Sequence, residues 1–479
     1  ASPSFQAAFT CYNLPVAEWK NRRVSILGVG RSGVATAAYL TARGAQVLVS
    51  ESQPKEKVKP DLLASLEKLT AGKTSVECEF GGHTERAVSW PEIIITSPGI
   101  PPRADVIVRA RALRKEVISD VELAYRETRG DADTKPLPII AITGTNGKST
   151  TTSLISYILE FAGRNAPACG NIGVPVLSLL DGKPDFLVME VSSYQLEYAP
   201  TFAPHIGVWL NLTPDHVDWH GNLDAYIEAK RSMFKHQSLS DYAVLNMDDS
   251  VVASTINAGE FFPFSVLGEC ERAIQSAYMQ DGFFCANFGS RSRVVCHESE
   301  VKIIGKHNQE NCLAAISAAL LAGLSEKEIK AGLTTFTALE HRLEYVATID
   351  GVPYYNDSKA TNTDSTIKAL ESFPNNKVVL IAGGKDKGTS LNELVQVVKR
   401  YASGVILIGE ARERFERALR NGGFNDVYPV ATLEEAVNLG GKLKKGPVLL
   451  SPACASFDMF KDFEDRGRAF KELVHSRTR

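Results

Sequence analysis

The chain has 479 residues, 44% hydrophobic and 23% charged, with a formal net charge of -3. That length exceeds a single core and predicts two to four domains, while the near-neutral balance gives no electrostatic case for nucleic acid or an anionic membrane as partner. No apolar run approaches the roughly 20 residues that span a bilayer, and the eight cysteines, with no Cys-x-x-Cys pair among them, predict reduced thiols.

In chain order, Ala1-Ser2-Pro3-Ser4-Phe5 carries no basic region followed by an apolar stretch, so no intact secretory signal is expected there. The expected compartment is the bacterial cytoplasm; a plastid stroma is the alternative, because alanine rather than methionine comes first. Val24 to Leu27 reads as a strand running into Gly28-Val29-Gly30-Arg31-Ser32-Gly33 and a helical stretch from Val34 to Leu40. A second strand, Gln46 to Val49, ends at Ser50-Glu51. This is a dinucleotide-type fingerprint with an acid near the expected distance; it suits a dinucleotide, the pyrophosphate of a nucleotide sugar, or simply close packing of a helix on a strand. Glu92 to Thr96 ends in the turn Ser97-Pro98-Gly99-Ile100, at the same carboxyl edge of a parallel sheet. The polar stretch from Arg126 to Leu137 reads as a linker, so a new domain is expected near residue 138.

Ile139 to Thr152 is the stretch around which the chemistry is organised. A short apolar run breaks into Gly144-Thr145-Asn146-Gly147-Lys148-Ser149-Thr150, and apolar residues resume at helical spacing from Leu154. In a strand-loop-helix of this kind the glycines let backbone N–H groups curl inward at the positive end of a helix. Lys148 then reaches the outer phosphates of a nucleoside triphosphate, and the hydroxyl of Ser149 or Thr150 completes a magnesium shell. The loop is shorter than the common phosphate loop, with Ile142 where a glycine usually stands.

Further on, Phe186 to Met189 is a predicted strand that ends at Glu190, a carboxylate placed to ligate magnesium beside the loop. Ile206 to Leu210 leads into Asn211-Leu212-Thr213-Pro214-Asp215-His216, where His216 is a metal ligand, a group that orients phosphate, or neither. Strands are expected at Ala243 to Asn246 and Val294 to Cys296, and helices around Leu223 to Lys235 and Asn308 to Ala322. The pattern restarts near Glu340-His341-Arg342, and Tyr354-Tyr355, Val378 to Ala382, Gly404 to Ile408 and Pro447 to Leu450 alternate with helical segments, predicting a third, smaller α/β unit.

Several stretches match the Mur ligase family in order: Gly144 to Thr150, Gly170-Asn171-Ile172-Gly173, Glu190-Val191-Ser192-Ser193, Asp215-His216, Ala229-Lys230, Gly305 to Asn311, His341-Arg342 and Asn356 to Asn362. The string from Ser451 to Phe460, continuing into Phe463-Glu464-Asp465-Arg466-Gly467, resembles the D-glutamate-adding branch of that family. The resemblance implies an α/β fold of three domains: a Rossmann-like N-terminal domain (1–137), a central ATPase of the phosphate-loop type (138–339) and a Rossmann-like C-terminal domain (340–479). It implies an ATP-dependent amide ligase of peptidoglycan precursor synthesis that acts as a monomer. Its small-molecule substrates are UDP-N-acetylmuramoyl-L-alanine and D-glutamate.

By the same resemblance ATP is held by Gly144, Thr145, Asn146, Gly147, Lys148, Ser149, Thr150, Asn311, Arg342 and Asp357. Two magnesium ions are expected at Ser149, Glu190, His216 and Lys230, the last carbamylated so that a cation becomes a carboxylate. The catalytic set is Lys148, Glu190, His216, Lys230, Asp357 and Lys359. Gly30, Arg31, Ser32, Glu51 and Ser52, with Ser97, Asn171 and Ser192, hold the UDP substrate. D-Glutamate is met by His216, Thr361, Lys387, Ser456, Phe457 and Phe463; in Gly383-Gly384-Lys385-Asp386-Lys387 either lysine can serve. The implied chemistry passes through an acyl phosphate, which the C-terminal domain shields by closing. The alternatives are a folylpolyglutamate-synthase-like ligase and a non-catalytic binding protein that retains the ligase fold. A dehydrogenase would use the Gly28 to Gly33 fingerprint but leaves the phosphate loop without a task.

Overall fold

The computed structural model describes residues 18–71, 75–130, 135–270, 273–289, 291–337, 340–373 and 376–477. The Ala1 to Phe5 opening, Cys11 and part of the predicted linker, residues 131–134, lie outside the described residues. The chain divides into two compact units, one running to Glu298 and taking in Glu310–Thr334, the other made of Ser299–Gln309 and the chain from Thr335.

The first unit carries two sheets. In one, β1 (Arg23–Leu27), β2 (Gln46–Glu51), β3 (Val76–Phe80), β4 (Ile93–Thr96) and β5 (Glu116–Ile118) are ordered β3-β2-β1-β4-β5, and every pairing is parallel. After the exposed Arg23, β1 is apolar apart from Ser25, because both faces are covered: Val24, Ile26 and Leu27 are all buried. Gly33 is required where it stands, since a Cβ there would overlap the Gly28 carbonyl oxygen and lift the helix Arg31–Ala42 off the strand end.

The other sheet of this unit contains β6 (Ile139–Thr143), β7 (Ala168–Gly170), β8 (Leu187–Glu190), β9 (Ile206–Trp209), β10 (Tyr242–Asn246), β11 (Glu260–Ser265), β12 (Ser276–Gln280), β13 (Phe283–Phe288) and β14 (Arg291–His297). Their order is β14-β13-β12-β11-β10-β9-β6-β8-β7. All five residues of β6 are buried, and β6 lies parallel between β8 and β9. The phosphate loop therefore emerges flanked by the carboxyl ends of both neighbours, in register Ile142 with Glu190 and Thr143 with Trp209. β12 and β13 pair antiparallel across Asp281-Gly282, both at positive φ, the geometry of a two-residue hairpin turn.

The second unit holds β15 (Glu344–Ile349), β16 (Val352–Asn356), β17 (Val378–Gly383), β18 (Ala402–Ile408), β19 (Val427–Pro429) and β20 (Val448–Leu450), ordered β15-β16-β20-β17-β18-β19. Only the β15–β16 pairing is antiparallel. The α/β class with three sheets is thus the expected one. Most predicted strands and helices form within a residue or two of their expected ends, but the linker does not begin at Arg126. That residue lies in the helix Asp120–Thr128, anchored to Glu116 and to the buried Glu122. The described cysteines are all free thiols, and among the described residues no helix is long and apolar enough to cross a membrane.

Candidate active site

The site of the first unit is built at the carboxyl ends of β6, β8 and β9. Gly144 and Gly147 both take positive φ, and Gly147 precedes the helix Lys148–Phe161 in a left-handed conformation. A Cβ on Gly147 would overlap Asn311 Oδ1, an oxygen that also accepts from Thr151 Oγ1 at 3.0 Å. Asn311 is thereby packed against the loop. Asn146 N–H donates to Asn211 Oδ1 at 2.9 Å, and Thr145 Oγ1 lies 2.9 Å from the Tyr226 hydroxyl and accepts from Thr213 N–H at 3.0 Å. The loop is fixed by side chains on both sides, as a rigid anion cradle requires. Ser149 and Thr150 are buried in its first helical turn.

Two lysines converge on one carbonyl. Lys148 Nζ donates to Gly144 O at 2.7 Å and to Thr145 O at 2.9 Å; Lys230 Nζ donates to the same Gly144 O at 2.9 Å and to Thr143 Oγ1 at 3.3 Å. Lys230 is 1% exposed, on the buried face of the helix Leu223–Lys235, with its Nζ 4.9 Å from the Tyr226 ring. Burial holds its pKa well below the ordinary ammonium range, and the Lys148 charge pushes the same way, against the pull of Asp215 and Glu190. A buried lysine relieved of its proton is a nucleophilic amine.

Glu190 closes β8 and is 2% exposed. Its Oε1 accepts from Asn171 Nδ2 at 2.7 Å, whereas Oε2 is buried without a hydrogen-bond partner. An orphaned carboxylate oxygen beside a phosphate loop is the kind of atom a hard cation completes. Among the described residues no group of three or more His, Cys, Asp or Glu side chains could hold a metal by itself. An ion here would take the rest of its shell from the Ser149 hydroxyl, phosphate oxygens and water. His216, at φ 55, opens a short helix, with Nδ1 3.5 Å from Asp215 and its ring 4.8 Å from that of Tyr194.

At the edge of the first sheet, Gly28 is packed on Ser97, and Glu51 is committed to the loop itself. Its Oε2 accepts from Val29 N–H at 2.7 Å and its Oε1 from Gln53 N–H at 2.8 Å and Ser52 Oγ at 3.1 Å. Ser192 caps the helix Ser193–Leu196 in a capping box with Gln195, which reaches back to the buried Asp120 at 3.1 Å. Asp120 in turn bonds the side chain of Ser32, whose residue lies in the helix that follows Gly30 and begins at Arg31.

The second unit gathers its expected residues at the carboxyl edge of its own sheet. Asp357 follows β16 and accepts from Leu343 N–H at 3.2 Å and Ser451 Oγ at 2.7 Å; burial pushes its carboxyl up to about 7, although these bonds and the charges of Arg342 and Arg466 resist. Lys359 Nζ lies 3.8 Å from the centre of the Phe463 ring, and Thr361 N–H bonds the Lys359 carbonyl. Ser456 is buried, Phe457 is 72% exposed, and Lys385 is tied to Glu410 at 2.6 Å while Lys387 stands exposed.

Three family descriptions match along the chain: "Mur ligase MurD-like, N-terminal domain" at residues 22–119, "Mur ligase middle domain" at 142–319 and "Mur ligase, glutamate ligase domain" at 341–454. A UDP-N-acetylmuramoylalanine--D-glutamate ligase of Pelotomaculum thermopropionicum is 40% identical over 96% of this chain and 98% of its own. The ligase of that name from Acidobacterium capsulatum is 41% identical over 95% and 97%. The chain belongs to the Mur ligase family. Solved structures share the ligase fold: MurC of Thermotoga maritima superposes with a TM-score of 0.58 at 18% identity, covering 95% of this chain and 99% of its own. A folylpolyglutamate synthase of Mycobacterium tuberculosis reaches 0.55 at 12% identity over 70% of this chain and 90% of its own.

The family frame leaves three structural partners that sequence patterns did not single out. Tyr226 lies one helical turn before Lys230, a spacing that could have flagged it. Asp120 carries no local signal, and Arg466, though within the Phe463 to Gly467 string, gives no sign of its burial, because the burial of both is set by segments distant in sequence.

Proposed function

We propose that this Mur ligase adds D-glutamate to UDP-N-acetylmuramoyl-L-alanine in an ATP-dependent reaction of peptidoglycan precursor synthesis, as a monomer in the cytoplasm. The observation that carries the chemistry is the buried Lys230 amine, which meets Lys148 at the Gly144 carbonyl and feels the charge of Glu190, a carboxylate with one orphaned oxygen. The D-glutamate ligase activity named for relatives near 40% identity over almost the whole chain supports the substrate choice.

In this scheme the L-alanyl carboxylate attacks the γ-phosphorus of ATP and ADP departs, leaving an acyl phosphate. The D-glutamate amine then attacks the acyl carbon, the amide bond forms, a proton is lost from nitrogen and phosphate leaves. Two anions must first be brought together, so positive charge has to be fixed in place before reaction. Lys148 supplies it on the phosphates, while the N–H groups of the Gly144–Thr150 loop orient them, with Asn311, Arg342 and Asp357 as further ATP contacts. Ser149 and Glu190 would hold one magnesium ion, which would mask phosphate charge. We assign a second ion to Lys230 as its carbamate, together with His216; the carbamate would form when the neutral amine adds carbon dioxide and loses a proton.

Gly30, Arg31, Ser32, Glu51, Ser52, Ser97, Asn171 and Ser192 are assigned to the UDP substrate. Thr361, Lys387, Ser456, Phe457 and Phe463, with His216, are assigned to D-glutamate, and Lys359 with Asp357 to the catalytic set. Because Glu51 already accepts the Val29 and Gln53 amides, its part is to shape the Gly28–Gly33 loop. Mass analysis of the UDP product tests the proposal: one glutamyl residue gained, with ADP formed in equal amount, is expected. ATP turnover with no change in the UDP compound would overturn it.

A further inference from the structure

Arg466 is the largest charged side chain in the core of the second unit, 1% exposed, and among the described residues no carboxylate lies within ion-pair distance of it. The four hydrogen bonds it makes all go to neutral oxygens of two loops. Nε donates to Ser358 Oγ at 2.9 Å and one terminal nitrogen to Ser358 O at 2.8 Å; the other reaches Cys454 O at 3.2 Å and Ala455 O at 3.4 Å. Ser358 Oγ passes the contact on to the Phe463 carbonyl at 2.9 Å.

The loop it grips is a strained one. Ala453, next to Cys454, sits at φ 59, a left-handed conformation unfavourable for a residue with a Cβ. Such a backbone persists only when its surroundings over-determine it. Here the restraints are Arg466 on the two following carbonyls and Lys385 N–H, which also donates to Ala455 O at 2.9 Å. A Cβ on Gly384 would overlap that same Ala455 oxygen, so a third segment is fitted to the loop. Burying a guanidinium without a counter-ion is costly. The nearby Asp357 and Asp458 act only at longer range, and burial lowers the Arg466 pKa to about 10.

We propose that Arg466 is a positioning residue for the acceptor amino acid: its unpaired guanidinium locks the Ala453–Ser456 and Asp357–Ser358 loops and adds positive potential to a pocket selective for an amino dicarboxylate. This rests on the assignment of Ser456, Phe463 and Thr361 to D-glutamate above. Arg466 does not itself meet the substrate in this scheme. It sets the backbone that does, and its charge acts on the two carboxylates of the acceptor at longer range.

The test compares the unsubstituted enzyme with Arg466→Lys, which keeps charge but loses the planar fork, and Arg466→Met, which loses both. Michaelis constants for D-glutamate, ATP and the UDP substrate are measured for each, with thermal unfolding alongside. Expected is a rise in the D-glutamate constant of about tenfold in the lysine variant and about a hundredfold in the methionine variant, the scale of charge-assisted bonds. The ATP and UDP-substrate constants stay within about threefold, and kcat falls less than the D-glutamate constant rises. An unchanged D-glutamate constant in the folded lysine variant overturns the proposal. So does a parallel rise in all three constants, or loss of the cooperative unfolding transition in both variants, since each makes Arg466 structural only. If the unsubstituted enzyme ran normally in that experiment, only the role of Arg466 would fall; if it failed to turn over D-glutamate, the proposed function itself would fall.

Discussion

Replacing Lys230 by methionine separates stability from activity. The lysine makes two hydrogen bonds, each worth about 0.5–1.5 kcal/mol net. Neither acceptor is orphaned by its loss, because Gly144 O keeps Lys148 at 2.7 Å and Thr143 Oγ1 still donates to Val191 O at 3.0 Å. Folding near neutral pH strips Lys230 of the proton it carries unfolded, a cost an apolar group does not bear. Replacing buried ionisable groups by apolar ones of similar volume is commonly neutral or stabilising, by up to about 4 kcal/mol. Lys230→Met should therefore be between as stable as the parent and about 3 kcal/mol more stable near neutral pH, while turnover falls at least about a hundredfold. The pH dependence has a definite sign. A lysine whose folded pKa is depressed binds fewer protons folded than unfolded, so the parent gains stability as pH rises toward the unfolded value. The advantage of the methionine variant should shrink accordingly as pH rises toward about 10. Urea unfolding at pH 7 and pH 9.5, with phosphate release from the same preparations, makes the comparison. A variant less stable than the parent by 2 kcal/mol or more, or one with full turnover, would refute the reasoning.

Gly147→Ala should cost about 1–3 kcal/mol, since it combines a left-handed φ with overlap on Asn311; loss of ATP protection against thermal unfolding is the readout. Glu190→Gln keeps an acceptor for Asn171 and so preserves stability, but the magnesium concentration giving half-maximal activity should rise about tenfold or more. Asp357→Asn removes a carboxyl whose folded pKa is raised to about 7. A raised acid favours the folded state at low pH and loses that benefit as pH climbs from about 4 to 7. The parent should thus lose stability relative to the asparagine variant across that window, and parallel denaturation curves with no such divergence would contradict the burial of Asp357.

The parallel sheets were legible because their strands are buried on both faces and read as continuous apolar runs broken by glycine, as at Ile139 to Thr143. The β12–β13 hairpin was not foreseen, although Asp281-Gly282 is a strong local turn signal; the alternation around it is blurred by Phe283 and Phe284 side by side. Glu190 and the phosphate loop announced themselves through local pattern. Lys230 and Arg466 did not, because nothing in a helical Ala-Lys-Arg or Asp-Arg-Gly says that the charge will be buried. Their environments are supplied by Gly144 in one case and by Ser358 and Cys454 in the other, far along the chain.

The most direct measurement is phosphate release from ATP by the purified chain with magnesium and UDP-N-acetylmuramoyl-L-alanine, run in parallel with D-glutamate, with L-glutamate and without amino acid. Release that requires D-glutamate is the expected result. Equal release in all three arms, or none in any despite measurable ATP binding, would contradict the assignment of this chain as a D-glutamate-adding ligase.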